Sequence, residues 1–211
     1  MIKLEKELLQ ATTYAQPINL SFNQYLLDAD DALLVHTGSI QQAHLLTEQL
    51  QKELGTKSLS YILVSHFESD ECGGLPVILQ SYPKARVICS EVTARQIQGF
   101  GIEANLLIKN DGQTLKGADY EIECIEYPSE MHLWNGLLFF EKKRGILFSS
   151  DLMLSWGDTA SLVSQGDYAK LVEAISEEQV PHPQKLQHLK NRLAPLAVTF
   201  IATGHGECLR V

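Results

Sequence analysis

The chain has 211 residues, of which 45% are hydrophobic and 20% are charged, a balance typical of a globular protein with a buried core. Its formal net charge of −9 at pH 7 disfavours binding to the phosphate backbone of nucleic acids. No apolar run approaches the roughly 20 residues that cross a bilayer, and charges interrupt the N-terminal sequence MIKLEKELLQ. We therefore expect no membrane insertion and no secretory signal, and we place the protein in the cytoplasm.

The first half of the chain alternates predicted strands and helices. Two apolar runs around a polar turn at Asp28–Asp31 indicate a β-hairpin. A helix is predicted from Gln41 to Leu54, where apolar residues recur at helical spacing and Gly55 follows as a stop signal. The apolar run SLSYILVSH predicts a strand that leads into His66. GGLPVILQSYP and EVTARQIQGFG then predict helices on either side of the strand ARVICS.

The second half is richer in strands. YEIECIEYP predicts a strand, and two apolar runs around Lys142–Gly145 predict a hairpin. Between Tyr168 and Leu193 the pattern is helical but is interrupted by Pro181 and Pro183. A last strand, VTFIATGHG, ends in a glycine-flanked loop. Helices between strands predict a layered α/β fold, and since no linker or repeat divides the chain, we expect residues 1–211 to form one domain.

The segment HFESDECGG concentrates potential metal ligands, with four of them in six positions: His66, Glu68, Asp70 and Glu71. In an extended chain the first three lie on one side, and Glu71 points away unless a turn brings it back. Gly73 and Gly74 would permit a turn that divides the donors between two cations. Taken alone, the motif is more typical of a solvated acidic loop that contains one histidine.

Three further candidates follow predicted strands. His132 stands before the hairpin, Asp151 ends the run ILFSSD, and His205 lies between two glycines in ATGHGE. Each alone is compatible with a structural role, for example Asp151 as a helix N-cap. Together with the acidic motif, they predict that several rigid strands present donors at one rim, as a preformed metal site requires.

The remaining histidines and the cysteines give no comparable signal. The four cysteines are scattered without a CxxC pair, which disfavours a cysteine-based metal site. We interpret the other histidines as surface or core residues, since they follow no ligand pattern: His36, His44, His182 and His188.

In this order, the motifs resemble those of the metallo-β-lactamase superfamily. The resemblance runs from about Ser21 to the terminal ATGHG and is closest to the di-iron domain of flavodiiron proteins and oxygen-binding di-iron proteins. Hydrolytic members of the superfamily usually carry HxHxDH, whereas this chain has Glu68 in place of the second histidine. That replacement is characteristic of the flavodiiron group.

The resemblance implies an αββα sandwich of two mixed β-sheets flanked by helices, with the site at one edge. It also implies that His66, Glu68, His132 and Asp151 bind one metal, while Asp70, Asp151 and His205 bind the other. Carboxylate and imidazole donors without thiolate suit iron, so we expect two iron ions, with manganese or zinc as alternatives.

The chain departs from the flavodiiron pattern at two places. The family has a histidine ligand directly after Asp70, whereas this chain has Glu71, which either binds metal as a carboxylate or turns away from it. The flavodiiron enzymes also continue into a flavodoxin-like domain that supplies electrons. Since the sequence ends at Val211, we expect no such domain here.

These features leave three hypotheses for function. The first is a di-iron protein that binds dioxygen as a sensor or carrier in signalling. The second is a reductase of dioxygen or nitric oxide that receives electrons from a separate donor protein. The third is a dimetal hydrolase, which Glu68 and Glu71 disfavour. We further expect a homodimer, a signalling or electron-donor protein as partner, and no nucleic-acid or membrane partner.

Overall fold

The computed structural model describes residues 1–5 and 7–211 and contains two seven-stranded β-sheets. In the first sheet the strands lie side by side in chain order. The first four strands pair antiparallel, and the last four pair parallel, so the sheet is mixed. Its strands are β1 (Ile2–Glu5), β2 (Leu8–Ala15), β3 (Leu20–Leu27), β4 (Leu33–Val35), β5 (Tyr61–Leu63), β6 (Arg86–Cys89) and β7 (Asn105–Ile108).

The second sheet is also mixed, because a parallel pair joins an antiparallel meander to the C-terminal strands. Its strands are β8 (Thr114–Lys116), β9 (Glu121–Tyr127), β10 (Gly136–Glu141), β11 (Ile146–Ser150), β12 (Val163–Gln165), β13 (Phe200–Thr203) and β14 (Cys208–Arg210). In space they follow the order β12-β14-β13-β11-β10-β9-β8.

Helices cover the outer faces of both sheets. They are α1 (Ile40–Leu54), α2 (Ser69–Cys72), α3 (Leu75–Ser81), α4 (Glu91–Gly99), α5 (Tyr168–Ala174) and α6 (Pro183–Leu193), and a 3₁₀ turn spans Gln16–Ile18. Ser39 begins α1 with a capping box, in which its hydroxyl accepts from the Gln42 N–H and the Gln42 side chain accepts from the Ser39 N–H. None of the helices in the described ranges is long and apolar enough to cross a membrane.

Three layers of apolar contacts hold the sandwich together. Side chains such as Leu33, Phe139 and Phe148 pack between the two sheets. A second cluster joins α1, α3 and α4 to the first sheet, and a third joins α5 and α6 to the second sheet. Because both faces of the central strands are covered, every residue of β4, β10 and β11 is buried. The αββα sandwich expected from the sequence is confirmed.

The structure contains strands that the sequence analysis did not predict, and it fixes the conformation of the acidic motif. The additional strands are β7, β8, β12 and β14. The predicted helices, the hairpin at Lys142–Gly145 and the break at Pro181 and Pro183 are all present, and Pro183 occupies the first turn of α6. Of the two conformations considered for the acidic motif, an extended chain and a turn, the structure has the turn, because the helical turn α2 begins directly after Glu68. This early turn decides where the side chain of Glu71 lies.

Candidate metal centre

The candidate ligands meet where the two sheets touch at one edge. His66 follows β5, His132 lies between β9 and β10, Asp151 follows β11, and His205 follows β13. Main-chain hydrogen bonds join the sheets here, from Leu137 N to the Ser65 carbonyl and from Asn23 N to the Gly204 carbonyl. The strand ends therefore deliver side chains from distant parts of the sequence to one rigid rim.

Asp151 lies between three of the histidines. Its Oδ2 atom is 3.0 Å from His132 Nε2 and 3.6 Å from His66 Nε2. Its Oδ1 atom is 3.3 Å from His205 Nε2. The two oxygens of one carboxylate thus face two different sets of imidazole nitrogens, which is the arrangement that a bridging ligand requires.

Hydrogen bonds to the opposite ring nitrogens orient two of these histidines. The Nδ1 atom of His66 contacts the Ser65 hydroxyl at 3.0 Å and the Ser150 hydroxyl at 3.4 Å. The Nδ1 atom of His205 lies 3.2 Å from the Ser21 carbonyl, to which it donates. In both rings the Nε2 atom is left to face the carboxylates, as is usual for histidines that bind metal through Nε2.

Several buried polar atoms at the rim fit a bound cation. Among the described residues, His66 Nε2 and Glu71 Oε2 are buried and make no hydrogen bond, and the buried His132 Nε2 has only the Asp151 carboxylate beside it, at 3.0 Å. Such atoms are rare in folded proteins because burying them without a partner is costly, and a bound cation would supply the missing partner. The rings of His66 and His132 stack with their centroids 3.6 Å apart, and the Nε2 atoms of both rings face Asp151 Oδ2. The donor set therefore fits metal binding.

The acidic motif contributes to both sides of the rim. Glu68 Oε1 lies 3.8 Å from His66 Nε2, and Asp70 Oδ2 lies 3.4 Å from His205 Nε2. The helical turn α2 places Glu71 inside the protein, where its side chain is almost completely buried. All seven sequence-predicted residues are thus brought together. Their role as ligands stays a prediction.

His36 is the residue near the centre that the sequence analysis did not select. It follows β4 with a left-handed backbone (φ 61°) and is buried, with Nδ1 3.9 Å from Glu71 Oε1. Its interpretation as a core residue is consistent with this burial, but its contact with a candidate ligand was missed. Since the two residues are far apart in sequence, no local pattern could have paired them.

Burial and neighbouring charges separate the protonation states of these groups. Burial lowers the pKa of His66 to about 3, so this imidazole is neutral at pH 7 and ready to bind a cation. Burial also raises the pKa of Glu71 well above its usual range, and the nearby carboxylates of Asp70 and Asp151 raise it further. For Asp151, burial raises the pKa, but the adjacent His132 and His205 lower it below the usual range overall.

Binding of Mn²⁺ is expected to release protons and to weaken as the pH falls. Because its pKa is raised, Glu71 holds a proton to higher pH than a free glutamic acid, and a cation that bound to its carboxylate would displace that proton. Affinity should therefore rise with pH through the raised pKa of Glu71. Calorimetry in buffers of different ionisation enthalpy would count the protons that are released when Mn²⁺ binds. We expect Glu71→Gln to release about one proton fewer than the wild-type protein. Equal proton release from both proteins would contradict this assignment.

A cavity of about 540 Å³ opens onto the rim. Glu68, His132, Asp151 and His205 line its floor, and its walls are largely apolar. The apolar and aromatic wall residues are Leu20, Tyr127, Met131, Met153, Leu154 and Trp156. The candidate site is therefore open to a small molecule.

Comparisons with known proteins identify the family of this chain. Residues 20–206 match the profile of a family described as ODP family beta lactamase. The anaerobic nitric oxide reductase flavorubredoxin of Vibrio vulnificus is 24% identical over 215 residues, which cover 92% of this chain and 41% of that protein.

Two solved structures share the fold. The flavodiiron core of Flv1 from Synechocystis sp. PCC6803 superposes with a TM-score of 0.77 at 19% identity, over 96% of this chain and 54% of that one. The rubredoxin oxygen:oxidoreductase of Desulfovibrio gigas also has a TM-score of 0.77, at 16% identity, over 99% of this chain and 57% of that one. The chain spans 34% to 41% of the length of the first curated relatives it matches.

Proposed function

Because the chain belongs to the ODP beta-lactamase family, we propose that it holds a pair of iron ions and acts as a reductase of nitric oxide or dioxygen, supplied by a separate electron donor. The observation that carries this proposal is the placement of Asp151, whose two oxygens face His66 and His132 on one side and His205 on the other. Two-metal sites commonly hold their ions about 3.5–4 Å apart, a spacing that one carboxylate can bridge.

The donor set supports iron. In this assignment His66, Glu68, His132 and Asp151 hold one ion, and Asp70, Asp151 and His205 hold the other. Imidazole and carboxylate ligands without thiolate suit iron or manganese. The pair of ions, when bound, would supply the redox chemistry for a diatomic gas. The serines at Nδ1 of His66 and the Ser21 carbonyl at Nδ1 of His205 would keep both rings in place during that chemistry.

The relatives favour the reductase over the dioxygen sensor or carrier that we expected first. The name of the Vibrio vulnificus protein states nitric oxide reduction, and this activity is what we transfer to the chain as a proposal. The sensor hypothesis is drawn in part from Glu68 and from Glu71 in place of a histidine ligand, and the departure at Glu71 keeps it as the second candidate. The hydrolase hypothesis has the least support, since Glu68 replaces the histidine that hydrolytic relatives carry.

Other expectations stay predictions. These are the homodimer, the cytoplasmic location, the identity of the partner protein, and the organisation of residues 1–211 as one domain.

Gas consumption by the iron-reconstituted protein tests the proposal. The anaerobic protein would be mixed with rubredoxin and its NADH-dependent reductase, and electrodes would follow nitric oxide and dioxygen. We expect iron-dependent consumption of at least one gas, with Asp151→Ala as the inactive control. A reversible change in the visible spectrum without consumption would favour the sensor instead, and the absence of both would overturn the proposal.

A further inference from the structure

We infer that Glu71 forms a second carboxylate bridge between the two metal ions, in addition to Asp151. This inference rests on the proposed two-metal site and concerns how this chain differs from relatives with a histidine at this position. A histidine supplies one nitrogen to one metal, whereas a carboxylate has two oxygens that can reach two metals.

The first support is the membership of Glu71 in two of the three groups of potential metal ligands among the described residues, the third being His66, His132 and Asp151. With His66 and Glu68 it forms one group whose donor atoms all lie within 4.8 Å of one another. With Asp70 and His205 it forms a second group under the same distance. These two groups correspond to the two proposed metal positions. Glu71 is the residue that they share.

The second support is the orientation of the Glu71 carboxylate. Its Oε2 atom is buried, lies 3.5 Å from His66 Nε2, and makes no hydrogen bond to any described residue. Its Oε1 atom faces His36 Nδ1 at 3.9 Å. One oxygen therefore points into the ligand cluster without a partner, as a metal-binding oxygen would, while His36 lies beside the other.

The third support is the rigidity of the backbone around Glu71. Its carbonyl accepts hydrogen bonds from the Thr37 N–H at 2.9 Å and from the Thr37 hydroxyl at 3.2 Å. Gly74 lies so close to α1 that an added Cβ would be 2.5 Å from Ala43 Cβ, so the turn cannot easily shift outward. Because the turn is fixed and Glu71 is buried, the side chain cannot swing to solvent without a large rearrangement.

The charge of the site is consistent with this role. Glu68, Asp70, Glu71 and Asp151 together supply four negative charges when ionised, which would balance two divalent cations. Concentrating four buried or half-buried carboxylates without cations would be unfavourable, because like charges at short range repel strongly in a protein interior. Hard oxygen donors in this number favour iron or manganese over zinc.

Binding of Mn²⁺ provides a test that does not depend on catalysis. Titration followed by electron paramagnetic resonance would report how many ions bind and whether they are magnetically coupled. We expect the wild-type protein to bind a magnetically coupled pair of ions. Glu71→Gln should weaken the affinity of both positions by at least about tenfold, because loss of a direct ligand should cost more than loss of a residue that only supports a ligand. Glu68→Gln, the matched control, should weaken one position only.

The outcomes separate this inference from the proposed function. If Glu71→Gln weakens only one of the two positions, Glu71 is a terminal ligand and the bridge is wrong, while the two-metal site stands. If wild-type protein binds no pair of ions, the proposed function fails as well.

A crystal structure of the Mn²⁺-loaded wild-type protein decides the point even if the variant does not fold. Anomalous scattering would locate the ions, and we expect oxygens of Glu71 at roughly 2.0–2.6 Å from both, the usual range for oxygen ligands of divalent cations. Contact with a single ion would overturn the bridge.

Discussion

Asp151→Ala is expected to abolish binding of both metal ions, with affinity falling by at least about 100-fold at each position. This loss should exceed the loss caused by removing a residue that only supports a metal ligand. Asp151 Oδ2 lies within 3.6 Å of His66 Nε2 and His132 Nε2, and Oδ1 lies 3.3 Å from His205 Nε2. No other described carboxylate faces all three imidazoles. Its removal therefore takes a ligand from each ion and leaves the three rings without the negative charge between them.

Metal content after gel filtration would measure this effect. Asp167→Ala is the matched control, because Asp167 is an exposed aspartate that caps α5 away from the rim. The control should keep both ions and lose only the small stabilisation that the helix cap provides. Retention of both ions by Asp151→Ala would mean that the ligand assignment is wrong.

Gly206→Ala is expected to destabilise the fold by about 3 kcal/mol and to displace the neighbouring His205. Gly206 has a left-handed backbone (φ 84°), and an added Cβ would lie 2.3 Å from the Ser155 carbonyl oxygen and 2.4 Å from its hydroxyl. Gly206 also accepts a hydrogen bond from the Asn23 side chain at 2.8 Å. Relief of the overlap must move this loop, and the loop holds one of the candidate ligands.

Gly101→Ala separates the steric overlap from backbone strain. Gly101 has a similar backbone angle (φ 74°), but no described atom lies within 4 Å of an added Cβ. This variant should lose only about 1 kcal/mol. Urea denaturation would give the free energy of unfolding for both variants in metal-free protein. Equal losses would contradict the proposed close packing around Gly206.

The sandwich could be predicted because its elements have local signals. The runs around Lys142–Gly145 alternate between apolar strand and polar turn, and Pro181 and Pro183 mark the break between α5 and α6. The candidate ligands could be predicted for a related reason. His66, Asp151 and His205 each come directly after an apolar run. Strands that end at the same edge of the sandwich therefore bring the three side chains close together.

The position of Glu71 could not be predicted in the same way. An extended strand would have turned its side chain away from His66, and the actual turn α2 depends on contacts with distant segments. The Glu71 carbonyl is held by Thr37, and Gly74 donates to the Gly38 carbonyl at 2.7 Å. These contacts form only when the segment that leads into α1 packs against the acidic motif. The position of the Glu71 side chain therefore depends on tertiary contacts and not on the local sequence.

The backbone at Ser150 gives a second example. Directly before Asp151, it adopts a left-handed conformation (φ 51°), which is unusual for serine. Its carbonyl accepts from Gly204 N at 2.8 Å, and a Cβ on Gly204 would lie 2.9 Å from that oxygen. The backbone of Ser150 is therefore held by the loop that follows β13 and carries His205. The apolar run before Asp151 predicts the strand but not this conformation.

Counting the metal ions in anaerobically reconstituted protein tests the central claim most directly. The wild-type chain would be loaded with ferrous iron, freed of unbound metal and assayed for iron and zinc per chain. The two-metal site predicts about two iron ions per chain, held by the bridging Asp151. A single ion, or tightly held zinc that iron cannot replace, would contradict a di-iron centre at this rim.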